Sequence, residues 1–194
     1  MVMVSSTMLP LHSPAPDFTL TDAVTGTTYS LDSFADRRVL VVMFICNHCP
    51  FVKHIADELA RLSRDYPAQG VAFVAISSNS IESHPADSPE LMAAEARAHG
   101  YSFPYLYDET QEVAKAYRAA CTPDFYVFGP ERTLVYRGQL DASRPGNDLP
   151  VTGSDLRRAI EHALEGRPPI EKQFPSVGCN IKWKPGNAPD YFGA

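Results

Sequence analysis

Two cysteines, Cys46 and Cys49, stand where the chain changes character. An apolar run, Arg38-Val39-Leu40-Val41-Val42-Met43-Phe44-Ile45, ends on Cys46-Asn47-His48-Cys49-Pro50, and a helical pattern begins at once. A Cys-x-x-Cys at a helix start brings two sulfurs within bonding reach. Unpaired backbone N–H groups and the positive end of the helix dipole favour the thiolate there. Thiolate is the species that attacks disulfides, so the chemistry these residues point to is thiol–disulfide exchange. On this reading Cys46 lies exposed at the helix start and Cys49 lies one turn inward, shielded.

The elements that must position this pair follow from periodicity. Residues 38–45 are apolar without alternation, as a central strand covered on both faces requires. Phe51, Ile55, Leu59, Leu62 and Tyr66 recur at helical spacing, while Lys53, Asp57, Glu58, Arg61 and Arg64 fall mostly elsewhere. Pro50 is tolerated at the first helical position, where its missing N–H has no intrahelical acceptor. Pro67 and Gly70 stop the helix, and residues 71–78 form a second buried strand. Strand, helix and strand make a βαβ unit with parallel strands.

The flanks are plainer. Residues 10–17 are Pro-rich and extended, residues 18–20 and 27–29 suggest a small hairpin, and residues 30–34 a single helical turn. A polar loop over residues 79–87 precedes a helix with Ser88 as N-cap and Pro89 at its first position, closed by Gly100. A short strand spans 103–107, a helix 110–120, and strands 124–128 and 133–140 are joined by a tight turn. Residues 154–165 form the last helix, with Gly166 behind it. From Ile170 onward the chain is rich in Pro, Gly and aromatics without period, which predicts an ordered coil lying against the rest.

Length and charge set outer limits. The chain has 194 residues, 44% of them hydrophobic, enough for one domain with a substantial core. A net charge of -6 argues against nucleic acid as a main partner. Four cysteines are too few and too unevenly spaced for a disulfide-stapled secreted scaffold. No apolar run reaches the roughly 20 residues of a membrane helix, and residues 1–10 lack the basic and apolar regions of a signal peptide. The expectation is a cytoplasmic protein with no membrane or nucleic-acid partner.

Taken together, the strand, Cys-x-x-Cys, helix and strand, then Thr122-Pro123 ahead of an antiparallel strand pair and a final helix, resemble the thioredoxin fold. The N-terminal hairpin and the segment around residues 79–120 resemble its redoxin branch, the alkyl-hydroperoxide-reductase and thiol-specific-antioxidant (AhpC/TSA) superfamily. The resemblance covers roughly residues 14–166. It implies an α/β fold, a central mixed sheet flanked by helices, in one domain over residues 1–194. The hairpin extends it at the N-terminus, a β/α insertion interrupts it, and a coil tail over 167–194 closes it. It also implies that Cys46 attacks and Cys49 resolves, which agrees with the exposure expected of each.

The same resemblance assigns roles nearby. Asn47, His48 and Pro50 tune the pair. His48 before Cys49 is similar to disulfide isomerases and the bacterial disulfide oxidase, and an imidazole there would stabilise a Cys46 thiolate. Cys46 is therefore expected below the value of about 7 found in thioredoxin. Thr122-Pro123 matches the cis-proline platform whose preceding backbone pairs with a substrate chain. Cys121 and Cys179 are candidate additional thiols, read first as packing residues, with Cys179 brought near Cys46 if the tail docks. His12, His84, His99 and His162 are read as solvent-facing.

Departures narrow the activity. The peroxidatic Pro-x-x-x-Thr-x-x-Cys arrangement is missing: Val39 and Met43 stand at its Pro and Thr positions before Cys46, Val42 and Cys46 before Cys49. Thioredoxin's buried acid would fall on Leu40, leaving Glu82, His84 or Asp87 as substitutes. The expected function is thus thiol–disulfide oxidoreductase, with no cofactor beyond the redox-active disulfide and no metal. Its partners are protein or small-molecule disulfides and thiols, and a reductant such as a thioredoxin system. Two alternatives stay open: a peroxiredoxin-like antioxidant, and a copper- or zinc-binding protein using Cys46, His48 and Cys49 with His54 nearby.

Overall fold

The computed structural model describes residues 3–192; the last two residues of the expected tail, 193 and 194, lie outside them. In chain order the strands and helices are β1 (Met3–Ser5), β2 (Thr19–Asp22), β3 (Thr28–Ser30), β4 (Val39–Phe44), α1 (Pro50–Asp65), β5 (Val71–Ser77), α2 (Pro89–His99), β6 (Tyr105–Tyr107), α3 (Glu112–Ala116), β7 (Cys121–Thr122), β8 (Asp124–Phe128), β9 (Leu134–Gly138), α4 (Ser154–Leu164) and β10 (Val177–Asn180).

A seven-stranded mixed sheet runs in the order β3-β2-β6-β5-β4-β8-β9. β4 is central, parallel to β5 from Val39↔Val71 to Phe44↔Ile76 and antiparallel to β8. All six of its residues are buried, because each face carries its own layer. Val39, Val41 and Met43 join Val52, Ile55, Leu59 and Leu62 of α1 and Leu156 and Ile160 of α4. Leu40, Val42 and Phe44 face the other way, into a cluster with Phe18, Val113, Tyr117 and Ile181. The period of two thus accounts for the unbroken apolar run. Leu40 is part of this second layer and cannot supply an acid.

Several elements depart from expectation. The helix expected over 110–120 shortens to α3, with Gln111 and Arg118 both at positive φ on its flanks. The Gln111 amide crosses instead to the carbonyls of Ser78 and Lys182. Glu58, placed on the polar face of α1, is buried and held by Arg61 at 2.7 Å and Arg157 at 2.6 Å. Among the described residues, no helix is long and apolar enough to cross a membrane.

The expected coil tail is corrected most. Its residues Val177–Asn180 form β10, the middle strand of a second sheet ordered β1-β10-β7. On one side Met3, Val4 and Ser5 pair with Cys179, Gly178 and Val177; on the other Thr122 pairs with Cys179 and Cys121 with Asn180. The backbone groups of this short segment are satisfied from both sides by chain that lies far away in sequence, which is why local pattern did not reveal it. Gly178 is required there, since a Cβ would overlap the Thr122 carbonyl oxygen.

Candidate active site

β4 ends at Phe44, and α1 starts only at Pro50, so Cys46 is not at the helix start. The residue before a proline is driven out of the helical region, and Cys49 accordingly takes φ -71°, ψ 121° and becomes the N-cap. The dipole end of this helix therefore faces Cys49. Cys46 is buried rather than exposed, 1% accessible, and Cys49 is 0% accessible.

The loop between them is fastened from the segment after β5. The Asp87 carboxylate accepts the backbone N–H of Asn47 at 2.8 Å and of His48 at 3.2 Å, with Asn79 Nδ2 also at 2.8 Å. His48 Nδ1 lies 2.6 Å from Asp87 Oδ2. Burial alone would raise this carboxyl, but the hydrogen bonds from His48, Asn79 and Asn47 bring it below the usual range. An ionised carboxylate only accepts, so Nδ1 carries the proton. Asp87 is thus the acid beside the pair, while Glu82 is exposed. With its oxygens engaged by N–H donors from Asn47, His48 and Asn79 it anchors the loop. Asn47 is gripped further by Ala86 O and the Tyr105 hydroxyl.

On the far wall the Thr122–Pro123 peptide is cis. Thr122 Oγ1 lies 3.3 Å from Cys46 Sγ, and its carbonyl oxygen 3.2 Å from Cys49 Sγ. The edge of Thr122 expected to receive a substrate chain is occupied by β10. Cys179 comes with it, its sulfur 2.9 Å from that of Cys49, not of Cys46. Cys121 does not join; its sulfur faces the carbonyls of Pro123 and Ser176 at 3.8 and 3.9 Å. His84 is not free in solvent either: it is half-buried, its ring 4.7 Å from that of His48, and burial followed by the His48 charge lowers its pKa.

The charge in the pair is the reverse of the expectation. Cys46 is pushed well above an ordinary thiol by its hydrogen bond to Cys49, then by burial and the Asp87 carboxylate. Cys49 is lowered to about 5 by the hydrogen bond from Cys46, against burial, with further donors in Cys179 and the Val52 N–H. Helix start and carboxylate act together: one favours charge at Cys49, the other opposes it at Cys46. Thiolate absorbance should accordingly rise in one step near pH 5, and Cys49→Ser should abolish that step. If the step survives in Cys49→Ser and vanishes in Cys46→Ser, the assignment is wrong. Because the folded pKa lies below the unfolded one, this thiolate also adds stability that builds from about pH 5 to 9 and is lost as pH falls through 5.

A metal would find a different set from the one expected. Ligand atoms of Cys46, His48 and Asp87 lie within 4.8 Å of one another, whereas Cys49 faces Cys179 and His54 bonds Ser143 at 2.7 Å. The Nδ1 and carboxylate of that set already satisfy each other.

Residues 11–137, more than half of the chain, match the AhpC/TSA family. The chain belongs to this family. It is 58% identical to an uncharacterized conserved protein from Geobacillus kaustophilus, with a TM-score of 0.94 over 96% of this chain and 98% of that one. A Mycobacterium tuberculosis relative named as a peroxiredoxin is 32% identical over 117 residues, 60% of this chain and 69% of the relative. The thioredoxin domain of a Bacteroides vulgatus thiol-disulfide oxidoreductase superposes with a TM-score of 0.61 at 18% identity, over 79% of this chain and 96% of that one. The fold is the thioredoxin fold, and membership of the redoxin family supports a redox role. The family match stops before α4 and β10, so Cys179 lies beyond it. The grouping of Asp87, Asn79 and Tyr105 around Asn47 has one signal in the sequence, an acid just ahead of the Ser88-Pro89 helix start.

Proposed function

We propose that this chain is a thiol–disulfide oxidoreductase working through Cys46 and Cys49, with Cys46 attacking and Cys49 resolving. The observation that carries this is the placing of both sulfurs against Thr122-Pro123, with Thr122 Oγ1 3.3 Å from Cys46 Sγ and the Thr122 carbonyl oxygen 3.2 Å from Cys49 Sγ. His48 is the half-exposed residue of the motif, its side chain 21% accessible, and it touches Cys46 at 3.8 Å, so an incoming sulfur meets Cys46 first. The resting thiolate on Cys49 takes the Cys46 proton as Cys46 attacks one sulfur of the substrate. A Cys46 mixed disulfide forms and the other sulfur leaves as thiolate. That leaving group takes the proton from Cys49, and Cys49 then displaces the second substrate thiolate. The substrate disulfide gains two electrons and the pair becomes a disulfide. A dithiol donor of the kind a thioredoxin system supplies returns the pair to its reduced form.

The substrate class is small-molecule disulfides. Polypeptides commonly add as a strand to an open edge, and β10 already holds the Thr122 edge. With dithiothreitol as donor, turnover of oxidised glutathione should exceed that of insulin by about tenfold, equivalent to roughly 1.4 kcal/mol. Turnover of neither disulfide would remove the reading; faster turnover of insulin would remove the substrate class.

One observation favours a second reading, hydroperoxide reduction. Thr122 brings a hydroxyl to 3.3 Å from Cys46 although the local motif lacks a threonine, and a relative is named as a peroxiredoxin. Among the described residues no arginine hydrogen-bonds either sulfur to complete an anionic site. Peroxide consumption in the same coupled assay separates the two.

A further inference from the structure

Cys179 lies outside the exchange just described, yet its sulfur is 2.9 Å from Cys49 Sγ, no farther than the roughly 3–3.5 Å of a near-attack contact. The contact is built, not incidental. Cys179 is opposite Thr122 on one side and Met3 on the other. Gly178 lets the strand press against the Thr122 carbonyl. Cys179 is 0% accessible, so no solvent thiol touches it directly, and among the described residues Cys49 is the sulfur it hydrogen-bonds. Cys121, equally buried, hydrogen-bonds only carbonyl oxygens among the described residues.

We propose that Cys179 is a third redox-active thiol, which converts the Cys46–Cys49 disulfide into a Cys49–Cys179 disulfide. The inference rests on the Cys46–Cys49 exchange proposed above. In the step, the Cys179 sulfur attacks Cys49 Sγ, the Cys49–Cys179 bond forms, and the Cys46–Cys49 bond breaks with its electron pair leaving on Cys46. The proton of Cys179 ends on Cys46. No outside oxidant or reductant is consumed, and Cys46 becomes a free thiol again while the chain still holds the two oxidising equivalents. Burial, then the hydrogen bond and charge of Cys49, hold the Cys179 thiol up to about 12. The contribution of the Cys49 charge disappears once Cys49 is in a disulfide, which eases attack at the moment it is needed.

The test is disulfide mapping of the full chain. Reduced wild type is treated with one equivalent of diamide at pH 7, remaining thiols are alkylated, and linked peptides are identified by mass spectrometry. A Cys49–Cys179 link with Cys46 alkylated is expected beside the Cys46–Cys49 link. Cys46→Ser keeps three of the four cysteines, and its titratable thiols in denaturant should fall from three to one on oxidation, leaving Cys121. Absence of the Cys49–Cys179 link in wild type, or three thiols persisting in Cys46→Ser, overturns the proposal. Turnover of oxidised glutathione is measured alongside. A wild type that turns over while Cys46→Ser keeps three thiols refutes the third thiol alone. A wild type that does not turn over while Cys46→Ser loses two refutes the exchange reading.

Discussion

Replacing Cys46 by serine is expected to lower disulfide turnover by about a thousandfold or more, the scale on which loss of a nucleophile is felt. A serine hydroxyl beside Asp87 and a charged Cys49 has no route to the anion, and Cys49 cannot substitute because it faces Cys179 behind the loop. Cys49→Ser should fail differently. The first attack loses its proton acceptor and slows, but any mixed disulfide formed at Cys46 persists, because Cys179 is placed at residue 49 and has lost the sulfur through which it acts. Incubation with oxidised glutathione should therefore add one glutathionyl mass to Cys49→Ser and none to Cys46→Ser. A glutathionyl adduct on Cys49 in the Cys46→Ser protein, with turnover retained, would reverse the roles of the two sulfurs.

The largest effect on stability is expected at Asp124, the residue after Pro123. Its carboxylate meets Arg137 at 2.9 Å, and both side chains are 0% accessible. Arg137 also donates to Arg118 O and Thr7 Oγ1 and lies over the Tyr126 ring at 4.6 Å. Asp124→Ala removes the only carboxylate facing this guanidinium among the described residues and leaves the charge buried. Breaking a pair of this kind costs about 3–5 kcal/mol. At about 2–4 °C per kcal/mol for a chain of this size, the unfolding midpoint should fall by roughly 6–20 °C. Replacing both residues, Asp124→Leu with Arg137→Met, should recover most of the loss, because two apolar side chains need no counter-charge. If Asp124→Ala shifts the midpoint by less than 2 °C, roughly 1 kcal/mol or less, the pair does not stabilise the fold as argued.

What the sequence revealed and what it hid separate along a physical line. The β4–α1–β5 unit was legible because its apolar residues repeat at two and 3.6, and the Cys-x-x-Cys was legible because it sits on one continuous stretch. Pro50 is tolerated at the first helical position, and it also drives the residue before it out of the helical region. That effect makes Cys49 the N-cap of α1. Asp87 is forty residues from Asn47 in sequence, and only the folded loop shows its carboxylate accepting two of that loop's N–H groups. β10 was invisible for a related reason: Val177-Gly178-Cys179-Asn180 has no strand pattern of its own and acquires one only between β1 and β7. The thiols at 121 and 179 looked alike in sequence, and the register of that strand is what tells them apart.

The second sheet also has a consequence for biosynthesis. Domains take shape from the N-terminus as the chain is made, at about 5–20 residues per second. β4, α1 and β5 can assemble once the first half has emerged, but the strand that covers Thr122 is made after every strand of the large sheet. Until β10 is made, the Thr122 edge lacks the strand that pairs with it in the folded chain. The nascent protein would thus display a broader reactivity than the finished one, and closure by β10 marks the point at which its selectivity is set.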